Sequence, residues 1–274
     1  MFNWPFKFRR QTDFITPIGP KFNSAPWKTL NISGTQVKIK VPSQRTTLPI
    51  ESFDTRHPCD VNQLDDKLTE RNGIRLRLYP LIYRAWDFYG PWFTGKMGRI
   101  HMQTMIVSPA DIPDGLNYFH PRALEAGIAD YLTYFYDDDV WSDGSQTWLA
   151  PVNWQPLTDF PCIAARFDAN TTREMPTGPE CYFVMPVSKQ HLLIIYSKIS
   201  RNNVFSDKKP KPTINEWIDL TPFLELANQV LDSVQVTLSP QAQADQEEAL
   251  RGLEDKSLVK EFPPIKWTEK PKNN

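Results

Sequence analysis

The most concentrated reactive groups in the chain are carboxylates. Between Tyr136 and Gly144 it reads YDDDVWSDG, which puts Asp137, Asp138, Asp139 and Asp143 in one short loop around Trp141. Oxygen ligands bunched in this way suit Ca²⁺ or Mg²⁺. Two carboxylates beside aromatic rings also suit glycoside hydrolysis, one as acid and the other as base or nucleophile, with rings to stack the sugar. The calcium-loop pattern can be tested directly. Counted from Asp139, its third position is Trp141 and its twelfth Ala150, where oxygen ligands are required. That pattern fails, no metal is expected, and the run also reads as a solvated acidic loop.

A second group is His57, Cys59 and Asp60. These residue types could hold zinc or activate a thiolate. No second cluster completes the ligand set, since His101, His120 and His191 are dispersed, so a polar loop with an incidental cysteine is the simpler reading. A third is the aromatic block Tyr79–Phe93, containing Tyr83, Trp86, Phe88, Tyr89, Trp92 and Phe93. It could be a platform for a sugar, a base or a peptide, or it could be buried packing mass. GxSxG, GxxxxGKS, GxGxxG, HExxH and paired CxxC motifs are all absent. This counts against the commonest hydrolase, nucleotide-binding and zinc-protease classes. The expected binding residues are therefore Tyr83, Trp86, Tyr89, Trp92, Phe93, Asp137, Asp138, Asp139, Trp141 and Asp143, with no catalytic residue, metal or cofactor assigned.

The elements that must position these groups can be read from composition and pattern. The chain has 274 residues, 40% hydrophobic and 23% charged, a globular profile long enough for a sizeable core. Its net charge of -1 gives no global field favouring nucleic acid. Charge is nonetheless segregated: Met1–Arg45 carries eight Lys/Arg against Asp13 alone, and Asp111–Asp143 eight acids against Arg122 alone. The basic arm reads as lying over the chain's own acidic face, or else as a dock for an acidic partner. Twenty-five prolines against eleven glycines imply stiff, irregular connections. The first residues, MFNWPFKFRR, lack an apolar signal core, and no stretch has the ~18 apolar residues of a membrane span. Three widely spaced cysteines, Cys59, Cys162 and Cys181, fit reduced thiols and a cytoplasmic setting.

Cys181–Ser200 holds two apolar runs split by Ser188-Lys189-Gln190, the signature of a β-hairpin. Its second run is apolar at Leu193 and Ile195 and also at Leu192 and Ile194, so that strand is central and covered on both faces. Alternation predicts strands at Thr35–Pro42, Ile74–Tyr79 (ended by Pro80) and Lys96–Val107, with further strands at Thr147–Val152 and Cys162–Phe167. Helical spacing predicts Pro121–Phe135 and Thr221–Leu238, with a polar helix over Pro240–Leu253 and a short one over Val61–Arg71. Leu81–Phe93 reads as irregular, and Arg201–Thr213 as a basic loop. The predicted fold is α+β: a twisted antiparallel sheet with helices packed on it and Pro/aromatic-rich irregular connections. A single domain is expected over residues 1–255, with an irregular N-terminal arm, followed by a strap or disordered tail over 256–274.

The order of an early basic strand closed by proline (VKIKVP), a late central hairpin (YFVMPVSKQHLLIIYSKI) and a following amphipathic helix (FLELANQVLDSVQV) resembles PsbP-like and DcrB-type proteins. The resemblance covers about half the chain, and Leu81–Asp143 has no counterpart in it. It implies a helix-covered antiparallel sheet and a binding or accessory role, including bacterial secretion-associated chaperones, with no catalytic residue to transfer. The expected function is thus a non-enzymatic binding protein of bacterial chaperone or immunity type. Its expected partner is another protein, with no membrane span and no nucleic acid. The rival is a carbohydrate-active or other hydrolase using the carboxylates of the 137–143 loop.

Overall fold

The computed structural model describes residues 14–47, 49, 51–55, 58–64, 67–91, 95–202 and 217–267. His57, Trp92 and Phe93, and most of the loop expected over Arg201–Thr213, lie outside them. The described residues form an α+β structure with two antiparallel sheets and three α-helices.

The small sheet joins β1 (Trp27–Ile32), β2 (Thr35–Lys40) and β11 (Gln235–Thr237) in the order β1-β2-β11. The large sheet has eight strands. Its path is β3 (Phe53–Asp54), β5 (Ile74–Tyr89), β6 (Lys96–Pro109), β10 (His191–Arg201), β9 (Thr177–Ser188), β8 (Ala165–Thr171) and β7 (Trp148–Pro156). The eighth, β4 (Lys67–Arg71), pairs with β5 beside β3. As the apolar pattern requires, β10 lies between β6 and β9 and is buried on both faces. Leu193, Ile195 and Ile199 join one core, Leu192 and Ile194 the other.

Helix α2 (Thr221–Asp232) closes the first core, burying Phe223, Leu226, Ala227, Val230 and Leu231, and the small sheet adds Ile32, Val37 and Ile39. Helix α3 (Pro240–Leu250), capped by Ser239 Oγ on the Ala242 amide, adds Ala242. Helix α1 (Pro121–Tyr136) closes the second core with Leu124, Ile128, Tyr131 and Leu132. A segment after α3 crosses the same face, burying Leu258 and Trp267. It is fastened by Trp154 Nε1 donating to the Val259 carbonyl at 2.8 Å and Trp267 Nε1 donating to Thr133 Oγ1 at 3.1 Å.

Three expected elements come out differently. Pro80 does not end a strand: β5 runs through it to Tyr89. Proline cannot donate to a ladder, and Pro80 falls where β5 changes edge partners, between the β4 pairing that ends at Leu78 and the β3 pairing that starts at Ile82. A register shift against β6 absorbs the irregularity there. The segment read as a helix over Val61–Arg71 is instead a 3-10 turn at Val61–Gln63, capped by Asp60, followed by β4. The helix read over Thr221–Leu238 stops at Asp232, and Gln235–Thr237 leaves it to pair with β2. Val and Thr there favour a strand, and an open sheet edge accepts them. The described part of the basic arm bridges to Ile218 at Ile15 and to Tyr89 at Ile18.

Two side-chain placements bear on stability. Gly127 sits inside α1 because the helix approaches its neighbours closely: a Cβ there would lie 2.6 Å from Tyr118 Cε1 and 3.2 Å from Leu192 Cδ1. Asp87 of β5 and Arg99 of β6 form a buried ion pair, and Asp87 also accepts from the Thr47 amide and hydroxyl. Burial alone would raise the Asp87 carboxyl, but the bonds from Arg99 and Thr47 outweigh it and hold the carboxyl below its usual range.

Gly127→Ala should lower the urea midpoint. The helix-propensity gain of ~1 kcal/mol is outweighed by an overpacking cost of roughly 1–3 kcal/mol; a raised midpoint would show that α1 is not seated this closely. Asp87→Ala should cost about 3–5 kcal/mol at neutral pH, because it strands the buried Arg99. In the parent protein the Asp87 contribution is complete above the ordinary carboxylate range and is lost as pH falls through the lowered native value. The gap between the two proteins should therefore narrow in acid, measured by urea unfolding across pH.

Candidate binding site

The expected site residues do not gather in one place. Trp86 is wholly buried on the α2 side of the sheet, its Nε1 donating to the Pro42 and Ser43 carbonyls. Tyr89 lies at the end of β5 under the Arg45 guanidinium, 5.3 Å from the ring centre. Tyr83 is half-buried, with its hydroxyl 2.6 Å from His101 Nδ1.

Asp138, Asp139 and Asp143 of the acidic loop are each fastened to a donor. Arg71 holds Asp138 through both its Nε and an Nη. Trp148 Nε1 donates to Asp139 at 2.6 Å. Asp143 accepts from the Ser145 amide at 3.0 Å and hydroxyl at 2.7 Å and pairs with Arg173, which lies 5.0 Å above the Trp141 ring. The Ser145 and Arg173 bonds hold the Asp143 carboxyl well below its usual range. Asp137 closes α1 with its amide on the Thr133 carbonyl. The loop is thereby tied to β4, β7 and the turn after β8.

One of the ten, Asp139, lines a pocket that the sequence reading did not assemble. It encloses about 260 Å³ and is bounded by Arg71, Tyr131, Phe135, Tyr136, Asp139, Trp148, Glu180, Tyr182, Tyr196 and Lys198. Strand alternation builds the floor. Glu180 and Tyr182 are two apart on β9, Tyr196 and Lys198 two apart on β10, and the register sets Lys198 opposite Glu180 and Tyr196 opposite Tyr182. The last turn and a half of α1 supplies Tyr131, Phe135 and Tyr136, and the first residue of β7 supplies Trp148.

Glu180 is the polar centre, 5% exposed. Its Oε2 accepts from Tyr136 at 2.7 Å and from Tyr182 at 2.9 Å, and the two phenol oxygens also touch each other. Its Oε1 pairs with Lys198 Nζ at 2.8 Å. That ammonium also lies 5.7 Å from the centre of the Trp148 ring. Tyr182 stacks on Tyr196 at 5.6 Å and on Phe167 at 5.0 Å, and Tyr136 packs on Trp148 at 4.7 Å. Burial is the main force pushing the Tyr136 and Tyr182 phenols far above their usual range, with the nearby Glu180 charge adding to it. They remain protonated donors at any ordinary pH, so neither is a tyrosinate base or nucleophile.

Beyond Tyr196 the same face continues as a half-buried polar row. Tyr196 donates to Gln103 Oε1 at 3.0 Å, and His101 stands opposite Lys198. Burial, with help from the Arg99 and Lys198 charges, lowers the His101 pKa and favours a neutral ring.

Of the His57/Cys59/Asp60 group only Cys59 and Asp60 are among the described residues, where no set of three or more His, Cys, Asp or Glu converges. Cys59 is 5% exposed, its thiol pushed up to about 11 by burial and the Asp60 charge. Asp60 is occupied by the Asn62 amide and the Gln63 side chain. No helix among the described residues is long and apolar enough to cross a membrane. Comparison with protein-family models, curated proteins and solved structures gives no match, so the likeness to PsbP-like and DcrB-type proteins rests on the order of elements alone.

The three cysteines are buried and unpaired, and burial pushes the Cys162 thiol up to about 12. A chromogenic disulfide reagent at neutral pH should find almost no reactive thiol in the folded protein and all three after denaturation. One thiol titrating rapidly in the folded chain would restore Cys59 as a nucleophile candidate.

Proposed function

We propose that this chain is a non-enzymatic binding or accessory protein, and that it engages another protein through the face of the large sheet on which the Glu180 pocket opens. The carrying observation is a preformed aromatic pocket whose polar groups are already engaged: both oxygens of Glu180 are taken by three donors, and Asp139 is bonded to Trp148. Pockets that bind without chemistry are built this way, with aromatic walls and a few fixed polar groups. Among the described residues no serine or cysteine lines it beside a base. The order of elements that resembles PsbP-like and DcrB-type proteins supports a bacterial chaperone or immunity type. Three unpaired, buried thiols support a reducing, cytoplasmic setting.

The hydrolase reading keeps one observation in its favour. Asp139 and Glu180 are two carboxylates lining one aromatic pocket. Against it, catalysis needs one carboxylate free to give a proton and another free to receive one or attack, whereas these two are consumed by internal donors. A photo-crosslinking residue in place of Gln103, on the half-buried row beside the pocket, separates the two readings. In cells that make the protein it should yield a discrete protein adduct, which Tyr196→Ala reduces several-fold. Absence of any adduct, together with glycoside turnover that Asp139→Asn or Glu180→Gln abolishes, would replace the binding reading with the hydrolase.

A further inference from the structure

We propose that the Glu180 pocket is a recognition site for an alkylammonium group, the side chain of a lysine presented by the partner polypeptide, and that Lys198 holds the Glu180 carboxylate in its place in the free protein. The inference rests on the binding reading above and names its chemistry.

The ligand class follows from what the pocket offers. Most of its donors are spent internally: the Tyr136 and Tyr182 hydroxyls go to Glu180, the Tyr196 hydroxyl to Gln103, the Trp148 N–H to Asp139, and Arg71 to Asp138. What remains is aromatic faces and the Glu180 Oε1 that Lys198 gives up on leaving. A sugar needs donors as well as acceptors, and an anion would have to break the Arg71 or Lys198 pair. A cation needs only acceptors and rings, the combination that holds ammonium ions in aromatic boxes. Counting Arg71 and Lys198 against Asp138, Asp139 and Glu180, the local charge is negative, and it grows more negative if Lys198 leaves. The volume of about 260 Å³, left with Lys198 in place as part of the wall, suits one side chain better than a sugar ring with its hydration.

The chain itself supplies the template. Lys198 places its ammonium on Glu180 and near the Trp148 ring, the two contacts an incoming lysine would make. The two partners are unequally exposed. Glu180 keeps 6% of its side chain in contact with solvent and Lys198 46%. The carboxylate is fixed and must be neutralised, whereas the lysine stem is free to swing out. An incoming ammonium can then restore the ion pair without leaving Glu180 stranded. The half-buried row of Tyr196, Gln103, His101 and Tyr83 runs from the mouth of the pocket along the sheet, giving a polypeptide on either side of such a lysine a surface to follow. This row favours a peptide lysine over a free amine.

The internal lysine acts as a competitor, so apparent affinity is reduced by the fraction of time the pocket is open. The test uses the whole chain and three probes: Nα-acetyl-lysine-N-methylamide, its neutral norleucine isostere, and butylammonium. Lys198→Met keeps the stem and removes the charge. It should bind the lysine probe roughly tenfold more tightly than the parent, as expected for a pocket open about a tenth of the time, with binding read from tryptophan fluorescence and weakening as salt rises. If removing the charge lowers stability, the same probe should raise the melting temperature of Lys198→Met while the norleucine probe leaves it unchanged. Glu180→Gln should abolish both effects.

Equal binding of norleucine and lysine probes would overturn the cation site while leaving a binding pocket intact. Butylammonium binding without the lysine probe would overturn the peptide source. A folded Lys198→Met that responds to no probe would overturn the proposal outright, and the crosslinking at Gln103 would still decide the binding reading independently.

Discussion

Strand β10 constrains the rest of the molecule. From Leu192 to Ile195 its side chains alternate between two faces and every one is excluded from solvent. A strand of that kind is stable only if the sheet is covered twice, and the chain supplies two unlike covers. On one side, α2 with the small sheet and α3 forms a broad layer. On the other, α1 is the only helix among the described residues, assisted by the extended segment that carries Leu258 and Trp267. Sixteen residues of helix span about 24 Å, whereas β5 and β6, at sixteen and fourteen residues, extend roughly 45–55 Å. The α1 cover therefore runs out before the strands do. Where it ends, at Phe135 and Tyr136, the sheet face turns from Leu192 and Ile194 to Tyr196 and Lys198. The pocket lies at that boundary because the apolar cover stops there.

Much of this architecture was legible because two-sided burial leaves a strong mark on sequence. The hairpin, the position of β10, the strand at Lys96 and α1 could be read from periodicity alone. The misreadings share a cause: a tertiary partner overrode a local signal. Pro80 looked like a strand end because a proline N–H is missing, yet the ladder needs no donor where β5 passes from β4 to β3. The apolar periodicity of α2 continued through Val234 to Leu238, yet the edge of β2 captured Gln235–Thr237. Trp86 stood out as an exposed platform candidate, and β5 turned it into the α2-side core.

The site was less legible, and the reason is a single irregularity. Glu180, Tyr182, Tyr196 and Lys198 are visible in the sequence as polar or half-polar residues at two-residue spacing in otherwise apolar runs, a signal that polar groups share a face. Joining the two runs requires the hairpin register. Counted straight from the Ser188–His191 pair, Lys198 falls opposite Cys181, whose side chain belongs to the α2-side core. The shift between His191 and Leu192 moves the pairs from Leu192 to Lys198 by one and brings Lys198 onto Glu180. Composition drew attention to the acidic loop instead. There the aspartates act mainly as anchors, and Asp139 alone reaches the pocket.

Two buried carboxylates on this face invite comparison. Asp87 and Glu180 both sit in low-dielectric surroundings, and each is paired with a cation on the neighbouring strand. Buried pairs of this kind contribute little net stability, because desolvation offsets most of the attraction. Their difference lies in the cation. Arg99 is 8% exposed and as immobile as its partner, whereas Lys198 is nearly half exposed. The first pair is closed on both sides and holds β5, β6 and the Thr47 segment together. The second is closed on the carboxylate side only. A charge that is costly to bury, kept beneath aromatic rings and neutralised by a cation that can leave, stabilises the fold less than an apolar pair of the same volume would. Its physical consequence is a standing preference for positive charge at one point on the surface.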